Sequence, residues 1–150
     1  MSRAEELADG FEQENERYIQ AVLACPEGQW ASRSTSEGWT TAAVAQHVAG
    51  GHLHISEMIG GLASGQPLPA FTAKMLDENN KQQAGQFASA TKTEVLDWLR
   101  SNGKQAAAVV RGLSDEQLAC SAPFVMMGGA QVSAGQLIEN LLIGHIVSHR

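Results

Sequence analysis

Residues Thr41–Ala63 read TAAVAQHVAGGHLHISEMIGGLA, and the spacing of apolar positions in this stretch sets the fold class. Val44, Val48, Gly51, Ile55, Met58 and Leu62 recur at alternating steps of four and three, which is one stripe on an α-helix. Thr40 or Thr41 supplies its N-cap. Gly60-Gly61 weakens the far end, and GQPLP breaks the chain beyond it.

Further helices lie on either side. Residues 3–24 carry Leu7, Phe11, Tyr18 and Val22 near helical spacing, with Ile19 and Leu23 alongside; Pro26 and Gly28 end the run. The linker PEGQWASRSTSEGW follows. It is rich in Ser and Gly, yet it holds Trp30 and Trp39, both expected to fold back onto the core. Phe71 to Phe87 reads as helical. Thr91-Lys92-Thr93-Glu94 has the form of a capping box for a segment carrying Val95, Leu99, Val109 and Val110. Gly85, Gly103 and Gly112 predict a bent or interrupted helix there. Ser114-Asp115-Glu116 caps one short extra turn, and 121–132, with Pro123 and Gly128-Gly129, reads as a loop or small hairpin.

Ser133 caps a last helix, 134–150. Leu137, Ile138, Leu141, Leu142, Ile143, Ile146 and Val147 cover most of its circumference. A helix apolar all round is buried on most sides, so this one sits centrally in a bundle or at a dimer interface. Four long helical regions without a convincing strand predict an all-α four-helix bundle, one domain over 1–150.

Composition excludes several function classes. Hydrophobic residues make up 43% of the chain and charged residues 17%, against about 25% charged in typical soluble domains. Such a chain buries much of itself or pairs with a copy, and a homodimer is expected. The net charge is −6, and acid gathers at the start: Glu5, Glu6, Asp9, Glu12, Glu14 and Glu16. No run of Lys or Arg makes a basic stripe, which argues against nucleic-acid binding. Cys25 and Cys120 match no zinc motif and no disulfide scaffold. With a polar, acidic N-terminus and no long apolar run, the reading is a cytoplasmic protein off the membrane.

The histidines carry the chemistry. His145 and His149 stand at i and i+4, so both leave one face of the last helix, and Ile138, Leu142, His145 and His149 line that face. His47 lies on the inner face of the 41–63 helix, three residues after Val44 and four before Gly51. Two imidazoles on one helix and one on another make a workable set for one divalent metal, with zinc, nickel, copper and iron(II) all compatible. Three protein ligands leave positions open, the pattern of a reactive site. A core histidine bonded to a backbone carbonyl is the competing reading for His47. His54 shares the face of His47 but lies roughly 10 Å along the axis, too far to share a metal; it is assigned to the surrounding pocket. His52 points about 140° away and is expected to be exposed. Glu57 and His54 are the candidate proton acceptors.

The run Glu37-Gly38-Trp39-Thr40-Thr41-Ala42-Ala43-Val44-Ala45-Gln46-His47-Val48 resembles the opening of helix two in the DinB/YfiT-like superfamily, and His145-Ile146-Val147-Ser148-His149 resembles that superfamily's HxxxH. The Trp39-Thr40 opening is also similar to the N-terminal domain of mycothiol-dependent maleylpyruvate isomerases, a related branch. The resemblance covers nearly the whole layout. It implies an up-down-down-up four-helix bundle, a metal on His47, His145 and His149, and frequently a homodimer. It also implies low-molecular-weight thiols as partners, in transferases and isomerases. The isomerase branch usually has an acidic residue where this chain has His145, so the resemblance does not extend to that activity. The superfamily's last helix runs past the second histidine, whereas this sequence stops at Arg150; His149 is therefore expected to be the weakest ligand. Two functions follow: a metal-dependent thiol S-transferase or hydrolase, or a non-catalytic metal-binding or stress-response module acting as a dimer.

Overall fold

The structure, a computed structural model, describes residues 1–33 and 38–149. Linker positions 34–37, including Glu37 of the quoted motif, and the terminal Arg150 lie outside the described residues. Four long helices form the body: α1 (Arg3–Ala24), α3 (Thr41–Ala63), α5 (Lys92–Arg111) and a composite last helix. Shorter elements join them: α2 (Glu27–Trp30), α4 (Ala73–Gln86) and α6 (Asp115–Leu118), then a hairpin of β1 (Ser121–Phe124) and β2 (Ala130–Ser133).

Local chemistry places the helix starts. Ser2, Thr40, Thr72, Thr91, Ser114 and Ser133 each sit in extended backbone and accept from an amide of the first turn. At Thr91, Ser114 and Ser133 a Glu or Gln three residues on returns the bond, completing a capping box. The hairpin pairs Ser121 with Ser133 and Phe124 with Ala130. Gly128 and Gly129 turn it at φ of 66° and 83°, where a side chain would be strained. Its two strands are the β-structure among the described residues, with one isolated bridge between Arg33 and Thr40.

The helices run up, down, down, up, as the contacts between them show. Asn15 reaches Leu99 while Arg111 reaches Asp9, so α1 and α5 are antiparallel. Asn102 bonds Ala49 and Gly60 faces Val109, so α3 and α5 run together. Cys120, just before the hairpin, touches Ala63, whereas His145 meets His47; the last helix therefore opposes α3. Phe11, Val48, Ile59, Val95, Leu99, Val110, Ile138, Leu142 and Ile146 close the core between them.

Two expectations are corrected. Gly103 neither bends nor interrupts α5, which is helical from Lys92 to Arg111. A Cβ at Gly103 would fall 2.3 Å from Asn15 Nδ2, so the glycine makes room for a buried polar group of α1. The last helix is not α-helical throughout: α7 (Ala134–Leu137) gives way to a π-helical segment, Ile138–Ile143, before α8 (Gly144–His149). The wider π turn suits the core line Ile138, Leu142, Ile146, whose steps of four would drift off one face of a regular α-helix. Those three side chains are fully buried. The apolar circumference of this helix is thus spent largely inside its own bundle, with Val147 left exposed.

Candidate metal centre

His47 stands two turns into α3, where the Thr40 cap fixes the helix start. His145 and His149 come from α8, directly after the π segment. The antiparallel pairing of α3 with the last helix brings all three together. His145 Nε2 lies 2.9 Å from His47 Nε2. The three rings meet edge to face, with centroids 4.7 Å apart for His47–His145, 5.0 Å for His47–His149 and 4.7 Å for His145–His149. One ligand nitrogen from each lies within 4.8 Å of the others, a set able to hold one metal ion. It is the one such His, Cys, Asp or Glu group among the described residues, and it contains no carboxylate.

Two nitrogens bound at about 2.05 Å with tetrahedral angles sit about 3.3 Å apart, so the observed spacing needs little adjustment. The imidazoles are also in the right protonation state. Burial first, then the neighbouring His149, lowers His47 to about 4. Burial first, then His47, His149 and His52, lowers His145 to about 3. Both are neutral at pH 7, with lone pairs available. His145 Nδ1 is buried without a hydrogen-bond partner, so no carbonyl or carboxylate orients that ring. Packing over Gly51 does so instead. Trp39 meets His47 edge to face at 5.7 Å.

The remaining histidines separate differently from the sequence expectation. His54 and Glu57 are both exposed, and none of the ring contacts or hydrogen bonds of the histidine cluster involves them. His52, expected to be exposed, is 1% accessible. Its Nε2 lies 2.8 Å from Asn15 Oδ1, and its ring packs on Phe11 at 5.0 Å. Asn15 Nδ2 donates in turn to the Leu99 carbonyl at 3.1 Å. The bond to an amide oxygen makes Nε2 the protonated nitrogen of a neutral ring, and burial lowers His52 to about 4. Asn15 was detectable: it falls four residues after Phe11 and three before Tyr18, a polar residue on an apolar stripe.

The sequence matches the family model of the mycothiol maleylpyruvate isomerase N-terminal domain over residues 11–141. The chain belongs to this family. The match ends just before His145 and His149. Among solved structures, the mycothiol-dependent maleylpyruvate isomerase superposes with a TM-score of 0.77 at 14% identity, over 99% of this chain. The chain spans 59% of that isomerase's length. A histidine-to-alanine mutant of the isomerase gives 0.77 at 13% identity, with 99% and 59% of the two chains covered. YfiT from Bacillus subtilis, a probable metal-dependent hydrolase with an unusual four-helix bundle topology, gives 0.68 at 17% identity over 99% of this chain and 87% of its own. At these identities the likeness establishes the DinB/YfiT-like fold. No curated protein matches the chain. No helix among the described residues is long and apolar enough to cross a membrane.

Proposed function

We propose that this family member binds one divalent metal through His47, His145 and His149 and acts as a metal-dependent thiol S-transferase or hydrolase. The observation that carries the reading is the convergence of three imidazole nitrogens within 4.8 Å on half-buried side chains. Zinc, nickel and iron all suit a neutral imidazole set. A divalent ion held there would supply Lewis acidity and lower the pKa of a bound water or thiol. The chain's own contribution is a neutral, preformed ligand set. His145 is seated over Gly51, and the Trp39 ring meets His47 edge to face. Three ligands leave a coordination position for substrate. The thiol half of the proposal draws on the mycothiol-dependent isomerase and the hydrolase half on YfiT.

Elemental analysis and titration with zinc and nickel test the centre. About one ion per chain is expected, lost in His47→Ala and His145→Ala; unchanged metal content in both variants would refute the assignment. Thiol-transfer and ester-hydrolysis screens on the loaded protein then separate an enzyme from a metal-binding module without catalysis. We propose a homodimer as well. Its support lies in Phe71, Met75 and Leu76, at and just before the start of α4, which stay 43%, 52% and 37% exposed, rather than in the last helix. A monomer by light scattering at micromolar concentration would count against it.

A further inference from the structure

The last helix holds one residue more than an α-helix would need over the same path. Its middle, Ile138–Ile143, is π-helical, between α7 and α8. A π turn bonds residue i to i+5, where an α turn bonds i to i+4. The extra residue sets everything beyond it back by one place, about 100° of rotation.

The consequence shows when the same sequence is threaded as an unbroken α-helix. Each place beyond the turn would then be taken by the preceding residue. Gly144 and Ser148 would stand where His145 and His149 now meet His47, and neither carries an imidazole. His145 would stand where Ile146 is now fully buried, on the line of Ile138 and Leu142. Those side chains accept no hydrogen bond, so an imidazole N–H there would be stranded. The π turn thus separates two faces that an α-helix would confuse: the core line and the ligand pair.

The turn is held from α1. Arg3 Nη2 donates to Glu139 Oε1, and Ile143 Cδ1 lies 3.8 Å from the place of a Cβ on Gly10. Asn140 is exposed and enters neither contact.

We infer that the extra residue of this π turn is a positioning element of the metal centre: it decides which pair of side chains the last helix presents to His47. Gly51 aims the His145 ring, and the π turn brings that ring to Gly51. The inference rests on His47, His145 and His149 being the ligands.

The test deletes Asn140 from the full chain. With one residue fewer, the segment closes as an α-helix and both of its ends keep their places. Without metal, the urea midpoint should equal or exceed that of the wild type, because Ile138, Leu142 and Ile146 stay buried. With metal, zinc content and affinity should stay close to wild type. The cobalt(II) absorption spectrum should be unchanged, since the same three nitrogens bind. A second variant inserts Ala after Asn140 and turns Gly144 and Ser148 towards His47. Its zinc affinity should fall about 100-fold or more, as when ligand orientation is lost. Adding Gly144→His, His145→Ile and Ser148→His to that insertion should restore zinc binding, a rescue that a turn serving the core alone would not give. Loss of zinc binding or of folding on deletion of Asn140, wild-type affinity in the insertion variant, or no rescue would overturn the inference. Wild-type protein that takes up no zinc would instead refute the metal centre itself, so the two failures are distinguishable.

Discussion

The imidazole of His145 occupies the space that a side chain on residue 51 would fill. A Cβ built on Gly51 falls 2.6 Å from His145 Cε1 and 2.7 Å from Nδ1, inside van der Waals contact. Since Nδ1 has no hydrogen-bond partner, this close fit of ring on backbone is what aims Nε2 at His47.

Gly51→Ala therefore separates helix stability from ligand geometry. Alanine favours the helix by up to about 1 kcal/mol, so helical content by circular dichroism should hold or rise. The ring must move, and metal affinity should fall about 10- to 100-fold, the range seen when ligand orientation is lost. Titration with zinc checks it; unchanged affinity would show that the ring is aimed by something else.

His145 and His149 should not contribute equally. His145 is seated on the Gly51 backbone with its Nε2 2.9 Å from His47 Nε2, while His149 meets the His47 and His145 rings edge to face at 5.0 Å and 4.7 Å. His145→Ala should lower zinc affinity further than His149→Ala, and both should lower it. Equal affinity for wild type and His149→Ala would remove His149 from the ligand set.

Asn15 joins α1, α3 and α5 through one side chain. Asn15→Ala strands the His52 N–H in the core and should cost about 1–3 kcal/mol, measured by urea unfolding. Gly103→Ala should destabilise by the same route, because its Cβ would strike Asn15 Nδ2 at 2.3 Å. Metal stoichiometry should be unchanged in both. A loss below about 0.5 kcal/mol for Asn15→Ala would show that the network is dispensable, since ordinary surface changes fall in that range.

Acid should destabilise the metal-free protein. The folded pKa of His52, about 4, lies below the ordinary 6.5. Between those values the unfolded chain binds a proton that the folded chain refuses, so stability falls as pH drops from 6.5 towards 4. The slope for one such group reaches about 1.4 kcal/mol per pH unit. His47 and His145, at about 4 and 3, act in the same direction. The urea midpoint should be lower at pH 5 than at pH 7, with a shallower dependence in His52→Gln. A midpoint that is flat or rises on acidification would contradict the buried, neutral assignment.

The sequence alone determined what depends on neighbours along the chain. Helix starts follow from Thr40, Thr91, Ser114 and Ser133, because a cap is a bond between residues three apart. The shared face of His145 and His149 follows from the helical repeat, and α3 begins and ends where its stripe does. Which arc of α3 is buried was decided only by packing. Its core face includes Ala45, Ala49, His52 and Ser56, residues too small or too polar for hydropathy to mark, because α5 and the last helix cover that arc while α1 supplies the partner for His52. The same holds for Gly103 and Gly51. Each reads as a helix weakness in sequence, and each is a vacancy filled by a side chain from another helix, Asn15 and His145 respectively. Local bonds are written in the spacing of residues. The fit of one helix on another depends on volumes brought together from distant parts of the chain, and that complementarity exists only once the bundle has closed.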